Sequence, residues 1–248
     1  MKIGVVTLFP DWVTSLTLQG VVGRAAKRAC FSLETWNPRD FTEDVHHTVD
    51  DRPYGGGPGM VMKVAPLRAA IQAAKKALPK AKVVYLSPQG KVIDQALMAQ
   101  TTLQATELIL VAGRYEGIDE RVIERDIDVE WSLGDFVLSG GEIAAMAVID
   151  ALVRLLPGAL GDEASAREDS FATALLDHPH YTRPPEIDGQ SVPDVLMSGD
   201  HAAISRYRLQ QRLGKTWLKR PDLLKEENLL PLERLLLEAF KNEKRSTR

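Results

Sequence analysis

Apolar runs broken by polar, glycine-bearing segments alternate along the first two thirds of the chain. Runs compatible with strands fall at Ile3–Leu8, Phe31–Trp36, Val83–Leu86, Leu108–Val111 and Ile127–Trp131. Between them Trp12–Arg28, Val64–Leu78, Val92–Thr101 and Ile118–Arg125 carry helical periodicity, and Leu138–Leu156 closes the series before the stop signal Pro157-Gly158. Alternating strands and helices with short connections predict an α/β fold with a parallel sheet covered on both faces. Beyond this the pattern changes. Gly161–Ser170 is polar and acidic without periodicity, His178–Pro193 is rich in proline and turn residues, and from Asp200 the pattern is helical again. The predicted organisation is a sheet domain over residues 1–160, a flexible linker over 161–175, and a small, mainly helical domain over 176–248.

Three polar segments follow predicted strands: LSPQG (Leu86–Gly90), AGRYEGIDER (Ala112–Arg121) and SLGDFVLSGGE (Ser132–Glu142). The carboxyl ends of parallel strands are where an open α/β sheet binds a ligand. A fourth segment, RPYGGGPGMVMK (Arg52–Lys63), places four glycines and two prolines within eight residues, which excludes a helix or a central strand. It lacks the Gly-Lys-Ser/Thr of a phosphate-binding P-loop, and the strand and acidic residue that frame a dinucleotide fingerprint. A surface loop and a lid that orders over a substrate both fit it; with the polar FTEDVHHTVDD before it, the lid is the functional reading. His46 and His47 are adjacent, so their side chains do not converge on a metal as an i,i+4 pair does, and no cysteine or histidine cluster supports them. No residue is assigned as a metal ligand.

Composition narrows the classes. The chain has 248 residues, 44% of them apolar and 26% charged, as expected of a protein with a substantial core. A single cysteine, Cys30, excludes an internal disulfide. No apolar run approaches the ~20 residues of a membrane span, and MKIGVVTLFP does not read as a signal peptide; the expected location is cytoplasmic, with no membrane partner. The net charge of −3 argues against broad nucleic-acid affinity, but it is unevenly spread. Residues 201–248 carry twelve Lys/Arg against six Asp/Glu, and the rest nineteen against twenty-eight. A basic tail on an acidic body is either a phosphate-binding face or a solvated helical one.

Glu116, Asp135, Arg154 and Asp169 are the candidate acid, base and cation residues. Glu116 sits in a glycine-flanked loop, where a carboxylate is placed for contact. Arg154, near the end of an apolar helix, equally suits a complement to the helix dipole, and Asp169 equally suits an N-cap. The residues alone do not choose.

Taken together, LSPQG, AGRYEGIDER, SLGDFVLSGGE, DSFATALLDHPHYTRP and RPYGGGPGMVMK resemble the bacterial tRNA (guanine-N1)-methyltransferases, the TrmD family of the SPOUT class, from LFPDW to the basic tail. The resemblance implies a sheet domain ending in a deep trefoil knot, a topology that general rules treat as nearly absent. It implies an obligate homodimer with active sites shared between subunits, and transfer of a methyl group from S-adenosylmethionine (SAM) to N1 of the guanosine at position 37 of tRNA, 3′ of the anticodon and preceded by guanosine. Residue by residue, Tyr85, Leu86, Ser87 and Pro88 match the first SAM-binding loop, and Gly113, Tyr115 and Gly117 the second. Leu133, Gly134, Phe136, Val137, Leu138, Gly140 and Gly141 match the third; Asp135 stands among these cofactor-binding positions with no role of its own. Glu116, Arg154 and Asp169 match catalytic and substrate-handling positions. His180 and Arg183 match tRNA contacts, and Gly55, Gly57 and Gly59 belong to the candidate substrate lid. The resemblance also implies assistance by Mg2+, although no carboxylate cluster in the sequence marks a site.

Guanine N1 carries a proton and is a far weaker acid than an ordinary aspartic acid of pKa about 3.9. A positioned base and a cation stabilising charge on O6 are therefore needed; Asp169 and Arg154 are expected in these roles. N1 lies on the Watson–Crick edge, so the target base must be unpaired, as in the anticodon loop. From charge, Arg206, Arg208, Arg212, Lys215 and Lys219 are expected to grip the anticodon arm. A non-catalytic RNA-binding protein on the same fold is the alternative reading. A dinucleotide-dependent enzyme is disfavoured, because Phe9-Pro10-Asp11-Trp12 follows the first strand in place of a GxGxxG turn.

Overall fold

The computed structural model describes residues 1–161 and 169–246. The chain divides into two compact units, Met1–Glu163 and Ala164–Arg248.

In the first unit the strands are β1 (Lys2–Val6), β2 (Ser32–Trp36), β3 (Asp50–Asp51), β4 (Val61–Met62), β5 (Lys82–Val92), β6 (Glu107–Ala112) and β7 (Val129–Ser132). The helices are α1 (Pro10–Thr14), α2 (Gly20–Lys27), α3 (Val64–Ala77), α4 (Gln95–Gln104), α5 (Glu120–Asp126) and α6 (Glu142–Val153). Five strands form one sheet in the order β2-β1-β6-β5-β7, and every pairing in it is parallel. β6 shows why. All six residues of ELILVA are buried, as a strand covered on both faces requires. Leu108 and Leu110 join the core formed with α2 and α6, while Ile109 and Val111 join the core formed with α3 and α5.

Three expectations need correction. The predicted helix Trp12–Arg28 is two helices joined by a 3₁₀ turn (Ser15–Thr17), because Gln19 is extended and Gly20 takes φ +68°. The strand predicted over Val83–Leu86 runs on to Val92: after an irregularity between Leu86 and Lys91 it pairs with β7 again, through Lys91–Trp131 and Val92–Ser132. LSPQG is thus a kink within a strand. The helix predicted from Val92 accordingly starts only at Gln95, where the Asp94 side chain accepts from the Leu97 amide.

The second unit holds a short hairpin of β8 (Glu186–Ile187) and β9 (Gln190–Ser191), then α7 (Asp194–Met197), α8 (His201–Lys219) and α9 (Pro231–Ser246). α8 is opened by Asp200, whose carboxylate accepts from the amides of Ala202 and Ala203. Leu213 of α8 is buried with Leu236 and Leu237 of α9, and the absence of a side chain at Gly214 lets the Phe240 ring lie directly on that helix. Leu175, expected in the linker, is buried in this core, and the Thr216 hydroxyl accepts from the Leu176 amide. Most of Gly161–Ser170 lies outside the described residues.

Candidate active site

The ends of β5, β6 and β7 enclose one cavity. Its walls are Tyr85–Pro88 at the β5 kink, Gly113–Gly117 after β6, and Trp131–Leu138 with Gly140 and Gly141 after β7, excepting Asp135. All the residues expected around a cofactor therefore meet here except Asp135, which is exposed and off the wall. Arg114, Trp131, Ser132 and Ala144 also line the cavity and were not expected. Arg114 flanks a glycine, Trp131 and Ser132 end a strand and Ala144 lies in the first turn of α6, positions that do not by themselves mark a cavity wall in the sequence.

Backbone contact shapes the back of the cavity. The Gly141 amide donates to the Gly113 carbonyl (2.8 Å), and a Cβ at Gly141 would meet the Ala112 Cα at 2.7 Å. The segment after β7 thus lies directly against the end of β6, with no room for a side chain between them. Tyr85 lies over Gly113 and Gly117. Burial, aided by the Glu130 charge, pushes its phenol up to about 12, so it stays neutral.

A buried ionic clamp ties these loops together. Arg114 Nε donates to Glu142 Oε2 (2.8 Å), its NH1 donates to the Ser139 carbonyl (3.1 Å), and its guanidinium lies over the Phe9 ring at 4.5 Å. Glu142 is fully buried and accepts from the Thr7 hydroxyl through Oε1 (3.0 Å). As the first residue of α6, Glu142 also faces the positive end of the helix dipole. Thr7, Arg114 and Glu142 escaped the sequence reading because they are far apart in the chain.

The glycine segment borders this wall. β3 and β4 pair antiparallel, making Arg52–Met60 the loop of a hairpin. The Glu116 amide donates to the Met60 carbonyl (2.9 Å), and the Met62 amide to the Gly117 carbonyl (3.0 Å). Tyr115 stands at φ +60°; burial first, and the Asp50 carboxylate second, raise its phenol above the usual value. Gly55 and Gly57 have open space where a side chain would be, whereas Gly59 (φ +77°) lies against the Glu116 carboxylate. Gly59→Ala is therefore expected to displace Glu116 and lower methyl transfer at least tenfold, while Gly55→Ala, strained but unobstructed, has the smaller effect. Single-turnover kinetics of the two variants check this.

The three candidate catalytic residues are not brought together within the first unit. Glu116 is on the cavity edge. Arg154 caps the far end of α6, its amide donating to the Asp150 carbonyl (3.2 Å). Twelve residues separate it from Glu142, which at 1.5 Å per residue is about 18 Å. Asp169 belongs to the second unit and begins a tight turn, not a regular helix, its carbonyl accepting from the Ala172 amide (3.2 Å).

The family model for tRNA (guanine-1)-methyltransferase, TrmD, matches residues 1–226. The chain belongs to this family. Proteins named tRNA (guanine-N1)-methyltransferase from Methylococcus capsulatus and Photobacterium profundum are 62% and 60% identical to it, across 98% and 97% of this chain and 97% and 96% of theirs. The namesake from Escherichia coli is 58% identical over 98% of this chain and 95% of its own. Membership in the TrmD family makes the chain a methyltransferase acting on guanine N1 in tRNA, with SAM as methyl donor.

Arg183, Arg206 and Arg208 are exposed, and His180 is exposed with its Nε2 2.9 Å from Asp177 Oδ2. Arg212, expected among the gripping cations, is instead partly buried and donates to the Thr173 hydroxyl (2.7 Å). Lys219 is exposed and Lys215 partly buried. No helix among the described residues is long and apolar enough to cross a membrane.

Proposed function

We propose that the cavity at the ends of β5, β6 and β7 holds SAM, and that each active site is shared between two copies of the chain. The observation that carries this reading is the separation along α6. The helix begins at the cavity wall and ends at Arg154, about 18 Å away. An arginine side chain does not span that distance, so Arg154 reaches a cavity of this kind only on a second copy. The surface suits such pairing. Ile143 and Ala147 of α6 are exposed on the stripe that leads through Asp150 to Arg154, and Phe9 (46%) and Trp12 (41%) are exposed beside it. An antiparallel pair of α6 helices related by a two-fold axis covers this apolar face and sets the end of each helix near the start of the other.

The cavity wall fits the donor. Tyr85, Trp131 and Phe136 supply aromatic surface, backbone groups on three loops supply hydrogen bonds, and the Glu116 carboxylate on the edge complements a cationic ligand. The close passage of Gly141 against Ala112 supports a trefoil knot, in which the segment after β7 is drawn through an earlier loop. SAM supplies an electrophilic methyl group on a sulfonium. The protein supplies the rest: Asp169 accepts the N1 proton, Arg154 stabilises the charge developing on O6, and the hairpin carrying Gly55, Gly57 and Gly59 closes on the base. Mg2+ favours oxygen ligands. Among the described residues no set of three carboxylates converges, and Glu116 is the acidic residue on the cavity wall.

The second unit serves as the tRNA-binding domain, with His180, Arg183, Arg206 and Arg208 on the anticodon arm, in the cytoplasm where tRNA is modified. The target is the guanosine at position 37, following another guanosine. Labelled SAM and unmodified tRNA with guanosines at both positions should yield 1-methylguanosine, and replacing the preceding guanosine should suppress it. Equal methylation of both transcripts would refute the assigned specificity.

A further inference from the structure

Within the second unit three side chains converge. Asp177, His178 and His180 each present one potential ligand atom, and these atoms all lie within 4.8 Å of one another. We propose that they bind a divalent transition-metal ion of the zinc class.

Geometry carries the proposal. Zinc holds nitrogen and carboxylate oxygen at about 2.0–2.2 Å in a tetrahedron, which sets neighbouring ligand atoms about 3.4 Å apart. His180 Nε2 is 2.9 Å from Asp177 Oδ2, and His178 Nε2 is 3.7 Å from Asp177 Oδ1, so each imidazole stands near that spacing from one oxygen of the carboxylate. The rings of His178 and His180 are 4.5 Å apart, tilted at 50°. The His180 side chain is 71% exposed, which leaves it room to rotate toward the ion. Two imidazoles and one carboxylate select a first-row transition ion over Mg2+ or Ca2+, which take oxygen ligands.

Proton positions agree. The Pro179 carbonyl, 3.1 Å from His178 Nδ1, can only accept, so this contact suits the tautomer with its proton on Nδ1 and Nε2 as the ligating nitrogen. A backbone carbonyl on the non-ligating nitrogen is the usual outer support of a metal-bound histidine. His180 Nε2 now donates to Asp177; on binding, that ring proton moves to Nδ1 or leaves to solvent, and the freed lone pair takes the ion. Asp177 is also anchored through its amide, which donates to the Ser170 hydroxyl (3.0 Å). Three protein ligands leave the fourth tetrahedral position for water.

The test uses the full chain without an affinity tag, SAM or tRNA, in buffer containing millimolar Mg2+. Titration with Co2+ should produce visible d–d bands saturating at one equivalent, and Zn2+ should displace them. His180→Ala, at an exposed position, should weaken Zn2+ binding at least tenfold, and Asp177→Asn likewise. His46→Ala, at an exposed histidine elsewhere, should leave binding unchanged. The proposal is overturned if the native chain takes up no Zn2+ in this buffer, or if His180→Ala binds as tightly as the native chain. Because tRNA is absent, either result is independent of the role proposed for His180 in tRNA contact.

Discussion

Asp169→Ala is expected to lower single-turnover methylation by about 10²–10⁴-fold, the usual contribution of a positioned base. SAM affinity should stay near the native value, because the proposed SAM cavity is lined by residues of the first unit. The reason is the nucleophile: N1 has no free lone pair until its proton leaves, and no feature of the methyl donor removes that proton. Arg154→Ala should cost about 10²–10³-fold, as expected for a group that stabilises developing negative charge. The two losses should combine less than additively, since a proton leaving N1 and charge arriving on O6 belong to one transition state. Rapid-quench measurements with saturating SAM and tRNA separate these losses from weakened binding. Near-native single-turnover rates for Asp169→Ala would remove it from the mechanism.

The second large effect concerns stability. Glu142→Ala leaves the Arg114 guanidinium without its carboxylate, the Thr7 hydroxyl without its acceptor, and a void at a fully buried site. Removing one partner of a buried ion pair typically costs about 3–5 kcal/mol. The Arg114 side chain keeps 16% exposure, so water relieves part of this and the lower end, about 3 kcal/mol, is expected. Denaturant unfolding should show the loss, and calorimetric titration should show weaker SAM binding, because the clamp holds the loops after β6 and β7 together. Arg114→Met combined with Glu142→Leu should recover much of the stability, since it leaves no buried charge unpaired. An unfolding midpoint unchanged in Glu142→Ala would show that the clamp contributes nothing.

What the sequence made legible was local. The strand at Leu108–Val111 announced itself as an unbroken apolar run, and the loops after three strands were placed together because parallel strands deliver their carboxyl ends to one edge. The kink in β5 was hidden because Pro88 and Gly90 carry the chemistry of a loop, while the pairing that makes them part of a strand is supplied by β7. The clamp was hidden more deeply. Thr7 and Glu142 stand 135 residues apart, and nothing local marks either as ionic or buried. Asp177, His178 and His180 are close in sequence, yet without the i,i+4 spacing of a helical pair only the fold of that turn reveals their convergence. Arg154 was legible as a residue and not as a location: its distance from the cavity appears only once α6 is known to start at the cavity wall.

The central claim, an active site shared between two copies, is tested most directly by mixing two inactive variants. Glu116→Ala impairs the cavity edge, and Arg154→Ala removes the cation from the far end of α6. After subunit exchange at equal concentrations, half of the dimers are mixed, and each should contain one intact site, restoring about a quarter of native methylation. A mixture no more active than either variant alone would show that Arg154 serves the cavity of its own chain, contradicting the account.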